Sequence, residues 1–105
     1  MEASSNELEK TKLELTAQAI QLQNSLPVLE NSIQLYISSI KDKEELLGIA
    51  KVSYKSEQMS MEDYLKYEDD VVLEQSKLFN SQTRKWQIIM KLTVIYGNNI
   101  EEIVR

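Results

Sequence analysis

Two interleaved tracks of mostly apolar residues run through the first half of this chain, each repeating every seven positions. One passes through Leu8, Leu15, Leu22, Leu29, Tyr36, Lys43 and Ala50, the other through Lys12, Ala19, Leu26, Ile33, Ile40, Leu47 and Tyr54. A sustained 3.5-residue period marks helices that meet along a narrow seam, since only that spacing keeps one stripe facing a partner over many turns. Lys12 and Lys43 alone interrupt the tracks. Lysine stems can lie along an apolar seam while the ammonium reaches water.

Pro27 falls inside this run. Proline inside a helix removes a hydrogen bond and clashes with the preceding turn, at about 3 kcal/mol. The heptad register is nevertheless the same before and after it, whereas a loop usually shifts the phase. The pattern therefore predicts one long helix over about 4–56, kinked near Pro27. The competing reading starts a fresh helix there, with Asn24 or Ser25 as its cap.

A short polar break follows, Ser56-Glu-Gln-Met-Ser60, and then Ser60-Met-Glu-Asp63 fits a capping box. Glu62 and Asp63 also suit the positive end of a helix dipole. The break predicts a hairpin turn at about 56–60 and a second helix over about 60–97. Gly97-Asn98-Asn99 reads as its stop. The expected stripe on this helix is Leu65, Val72, Phe79, Trp86 and Thr93, flanked by Tyr64, Val71, Leu78, Leu92, Ile89 and Tyr96. At 1.5 Å per residue the helices would span about 78 and 54 Å, leaving residues up to about 20 without a partner in the chain. A short tail, 98–105, holds Ile100-Glu-Glu-Ile103 as one further loose turn.

Composition agrees with an all-α, coiled-coil-like antiparallel hairpin of a single domain. Only 2 glycines and 1 proline occur in 105 residues, and aromatics are 7%, too few for a broad globular core. The net charge is −5 with no basic stripe, which argues against nucleic acid as a partner. Cysteine and histidine are both absent, removing disulfides, thiolate metal sites and the usual proton shuttle. No run of about 18 apolar residues exists for a spanning helix. Met1-Glu-Ala-Ser-Ser-Asn-Glu lacks the basic and apolar regions of a signal peptide.

Chemistry-bearing clusters are sparse. Glu68, Asp69 and Asp70 are consecutive on a helix and so diverge by about 100° each, the geometry of a solvated face. No serine has a histidine base and no glycine-rich loop precedes a helix, so the expectation is no catalytic residue, no metal and no cofactor. Trp86 reads as a seam residue. Three of the five tyrosines, Tyr54, Tyr64 and Tyr67, cluster at the turn, where aromatic residues serve a core or a partner interface equally well.

The turn region, Tyr54-x-x-Glu57-x-Met59-Ser60-x-x-Asp63-Tyr64-Leu65, with Leu73 and a helix ending Ile95-Tyr96-Gly97, resembles the TolC-like outer membrane efflux protein family. The similarity is strongest over about 50–97 and only heptad-level over 5–49. The resemblance implies a trimeric channel with an outer-membrane β-barrel and a periplasmic tunnel of helical hairpins, whose tips close the entrance. It further implies a periplasmic adaptor protein and an inner-membrane pump as partners, in efflux or type I secretion. On it, Tyr54 is the tip tyrosine, Ser60 starts the returning helix, Leu65 is a buried leucine, and Asp63 falls at the pore constriction. Glu57 and Met59 complete the contact set. Two departures stand out. Glu57 replaces a family glycine, so a left-handed turn is less comfortable and the tip is open to rebuilding. Lys66 replaces a second acid, which weakens any cation-binding gate. From the residues alone, a soluble coiled-coil module that binds a partner helix remains the alternative.

Overall fold

The computed structural model describes the backbone over residues 2–104 and the side chains over 6–97. Two helices account for nearly all of it: α1, Glu2–Lys55, and α2, Met61–Val104. Residues 56–60 form the turn, as the polar break predicts, and no strand occurs among the described residues.

Pro27 lies inside an unbroken α1, so no second helix starts at Asn24 or Ser25. Two residues before the proline, the Ser25 hydroxyl donates to the Gln21 carbonyl at 2.9 Å. Such bonds to the preceding turn are common where a helix yields locally.

The second expected boundary is corrected. α2 does not stop at Gly97 but continues to Val104. A glycine ends a helix when it takes a left-handed conformation, and no glycine here has positive φ. Held in the right-handed form, it costs only about 1 kcal/mol relative to alanine. The side chains of the tail, including Ile100 and Ile103, lie outside the described residues.

The chain divides into two compact units. The turn unit is Glu30–Thr83, a helical hairpin closed by residues 56–60; the terminal unit joins Met1–Leu29 to Arg84–Arg105. In the turn unit Ile33, Ala50 and Val71 are buried. In the terminal unit Ala19, Ile88, Leu92 and Ile95 form a buried cluster, with Leu15, Leu22, Leu26 and Leu29 packed against it. Gln23 donates a side-chain hydrogen bond to the Tyr96 hydroxyl in the same unit. Leu15 and Ala19 therefore do have partners within the chain, contrary to the length argument. Leu8 stays 53% exposed.

Both α1 tracks from Leu15 to Ala50 are buried or half-buried, Lys43 included. On α2 the expected stripe is wrong. Leu65, Val72, Phe79, Trp86 and Thr93 are all exposed, Phe79 at 68% and Trp86 at 66%. The covered positions are the expected flank residues Tyr64, Val71, Leu78, Ile89 and Leu92, together with Tyr67, Glu68, Glu74, Ser81, Lys85, Ile88 and Ile95. The seam thus runs one residue earlier, about 100° round the helix.

Candidate functional site

The turn is built from the end of α1 outward. The Glu57 amide donates to the Tyr54 carbonyl at 3.1 Å and the Gln58 amide to the Ser53 carbonyl at 2.9 Å. Together these are the paired bonds of a Schellman motif, which satisfies carbonyls that a helix end otherwise leaves without donors. The motif requires a left-handed residue after the cap, and Glu57 supplies it with φ of 61°. Glutamate, not glycine, thus occupies the left-handed position of this turn. A residue bearing a Cβ adopts the strained conformation instead, at about 1–2 kcal/mol.

Ser60 then caps α2. Its hydroxyl accepts from the Asp63 amide at 3.1 Å, and its carbonyl accepts from the Tyr64 amide at 3.0 Å. Such a cap contributes about 1 kcal/mol. The reciprocal half of the capping box is not made among the described residues. The Asp63 carboxylate meets Lys66 instead, at 3.7 Å, with both side chains mostly in solvent. An exposed pair of this kind contributes little stability, but it sets a positive charge beside the Asp63 carboxylate.

Across the turn the rings of Tyr54 and Tyr64 stack, with centroids 5.1 Å apart and planes 14° from parallel. Their contact joins the last turn of α1 to the first turn of α2. Together with the cap it fixes the rotation of α2, placing Tyr64 over α1 and Leu65 outside. Leu65 is accordingly 41% exposed rather than buried as the resemblance implies. A hydrogen bond with Glu68 pushes the Tyr64 hydroxyl above its ordinary pKa, helped by partial burial and the nearby carboxylate.

Of the seven residues singled out in the sequence, the structure brings Tyr54 and Tyr64 into contact and joins Ser60 to Asp63. Glu57 shapes the turn, Leu65 faces outward, and Met59 is half-buried beside a shallow groove. That groove, about 370 Å³, is lined by Met59, Asp63, Lys66, Tyr67 and Asp70. Tyr67 and Asp70 stand four and seven positions after Asp63, the spacing of one helix face. That spacing was the available signal for them.

A second polar feature lies deeper in the turn unit. Glu74 is 7% exposed, and its Oε1 meets Lys77 Nζ at 3.2 Å and Lys43 Nζ at 3.4 Å. Burial alone raises the pKa of this carboxyl. The Lys77 hydrogen bond and the two ammonium charges outweigh burial and hold it below the ordinary value.

Among the described residues no three acidic side chains gather where a metal ion could sit, and no helix is long and apolar enough to cross a membrane. No family model, no curated protein and no solved structure gives a significant match to this chain.

Proposed function

We propose that this chain is part of the periplasmic helical hairpin of a TolC-like outer membrane channel, whose tip gates the pore and contacts the adaptor of a tripartite efflux or type I secretion system. One observation carries the reading. The position where the family has glycine, Glu57, is the chain's one described non-glycine residue with positive φ. The backbone thus keeps the turn that the glycine would serve. The stacked tyrosines and the Ser60 cap support it, because they make the tip a rigid presenting element. In the channel three copies would ring the pore, and Tyr54, Tyr64 and Met59 would meet the adaptor or a neighbouring hairpin.

Asp63 would then be repeated around a narrow opening, where like charges favour cations and oppose close approach. The test is Asp63→Asn in the full-length channel, since the cap uses the Asp63 backbone amide, which asparagine keeps while the charge is removed. Cation selectivity should fall. Unchanged conductance and selectivity would remove Asp63 from the gate. The complete open reading frame tests the whole proposal: amphipathic barrel strands and a signal peptide are expected in it. A frame without them would leave the soluble helix-binding module, which the exposed Phe79 and Trp86 also suit.

A further inference from the structure

Outside the turn, two surface features lack a partner among the described residues and complement each other. The first is a face of α2 in the turn unit, formed by Leu65, Val72 and Phe79, all exposed and spaced seven apart. Glu62, Glu68 and Asp69 stand three or four residues from Leu65 or Val72, so carboxylates flank this apolar face on both sides. The second is a groove in the terminal unit. It runs as two adjoining hollows, about 660 and 580 Å³, that share Leu22, Met90 and Lys91. Val94 continues its apolar wall, and Arg84 stands at its other end. Neither Arg84 nor Lys91 has an ion-pair partner among the described residues.

Charge separates the two features cleanly. Residues 30–83 hold 11 acids against 6 lysines, which accounts for the whole net charge of −5; the remaining residues hold six of each sign. Their lengths agree to within about one helical turn. Leu65 to Phe79 covers about 21 Å of helix, and Arg84 to Ile95 about 16 Å. A heptad-spaced apolar face is the shape a helix presents to a groove between two other helices. Acid flanks against a basic rim would favour this pairing over an acid face meeting its own copy.

We infer that a second copy of this chain occupies the groove, laying its Leu65–Val72–Phe79 face between Leu22 and Met90 while Glu62 and Asp69 approach Arg84 and Lys91. The contact joins two different patches, so each copy offers both halves of it. This inference does not rest on the channel reading, because it concerns the 105-residue chain by itself.

The test is sedimentation equilibrium on the whole chain and on surface variants whose helicity is checked by circular dichroism. The unaltered chain should self-associate in the micromolar range. Arg84→Glu with Lys91→Glu, and separately Glu62→Lys with Asp69→Lys, should each weaken association about tenfold or more. Mixing the two reversed chains should restore it, since each then supplies the charge the other needs. Met90→Glu should abolish association through the groove wall alone. An unaltered chain that is monomeric into the high micromolar range overturns the inference. So does association that survives either reversal, or reversed chains that stay apart when mixed.

Discussion

The turn unit and the terminal unit use one heptad spacing with different chemistry at the seam. In Glu30–Thr83 a buried carboxylate sits between two lysines, and a capped, stacked turn closes the hairpin. In the unit formed by the two ends of the chain, Ile88, Leu92 and Ile95 pack with Ala19 and four leucines. Aliphatic burial gains free energy in proportion to area and tolerates sliding, since one leucine replaces another along the stripe. A buried Glu74 tolerates no slip, because moving it one heptad would leave a desolvated charge without Lys43. The turn unit thus trades apolar area for register, and the terminal unit makes the opposite choice.

The largest effect should come from the aliphatic side. Leu92 is buried in the cluster with Ile88 and Ile95, and Leu92→Ala removes its methyl groups and leaves a gap. A loss of about 2–3 kcal/mol is expected, towards the lower end of large-to-small core substitutions because a two-helix seam can partly collapse. Urea unfolding followed by circular dichroism measures it. A loss below about 1 kcal/mol would mean the cluster is loosely packed, and the contrast between the units would dissolve.

The ionic side should show itself in pH. The Glu74 carboxyl is held below its ordinary pKa in the folded chain. The unfolded chain therefore binds more protons as pH falls through the ordinary glutamate value of about 4.3, and stability rises with pH across that window. The contribution is fully present above the unfolded value and is lost as pH falls through the folded one. Glu74→Gln should lower the thermal midpoint at neutral pH and flatten the acid limb relative to the unaltered chain. Replacing Lys43, Glu74 and Lys77 together by apolar residues should recover the midpoint while losing the single register. Parallel acid limbs for Glu74→Gln and the unaltered chain would show that the lysines do not hold the carboxylate ionised.

The same contrast explains what could be read beforehand. The α1 tracks were legible because each is almost wholly apolar, and the structure covers them from Leu15 to Ala50. The turn was legible because capping is local: Ser60 needs only the amide three residues on. On α2 two stripes one residue apart compete. Periodicity favours the one with Phe79 and Trp86, while the seam takes the one with Glu74, Ser81 and Lys85. The choice depends on Tyr64 stacking on Tyr54 and Glu74 reaching Lys43, contacts between helices that spacing within one helix cannot report. Gly97 misled for a related reason. Its residue type permits a stop but does not dictate the left-handed conformation that makes one. At the candidate site, Ser60 and the tyrosines were visible, whereas the Asp63–Lys66 pair and the outward turn of Leu65 follow from the rotation of α2.

The smallest effect belongs to the turn itself, and it separates local geometry from seam packing. Glu57 holds φ of 61°, a region that costs a residue with a Cβ about 1–2 kcal/mol and glycine almost nothing. Glu57→Gly removes that strain but also gives the unfolded chain more freedom, which offsets part of the gain. The net expectation is a stabilisation of up to about 1 kcal/mol. Glu57→Val should destabilise by more than this, because a β-branched side chain is least compatible with a left-handed backbone. Neither change touches the aliphatic cluster of the terminal unit, so hydrogen exchange at Ile88 and Leu92 should move only as far as global stability does. If Glu57→Gly destabilises the chain, the left-handed turn is not what closes the hairpin, and the Tyr54–Tyr64 stack must set the rotation of α2 without it.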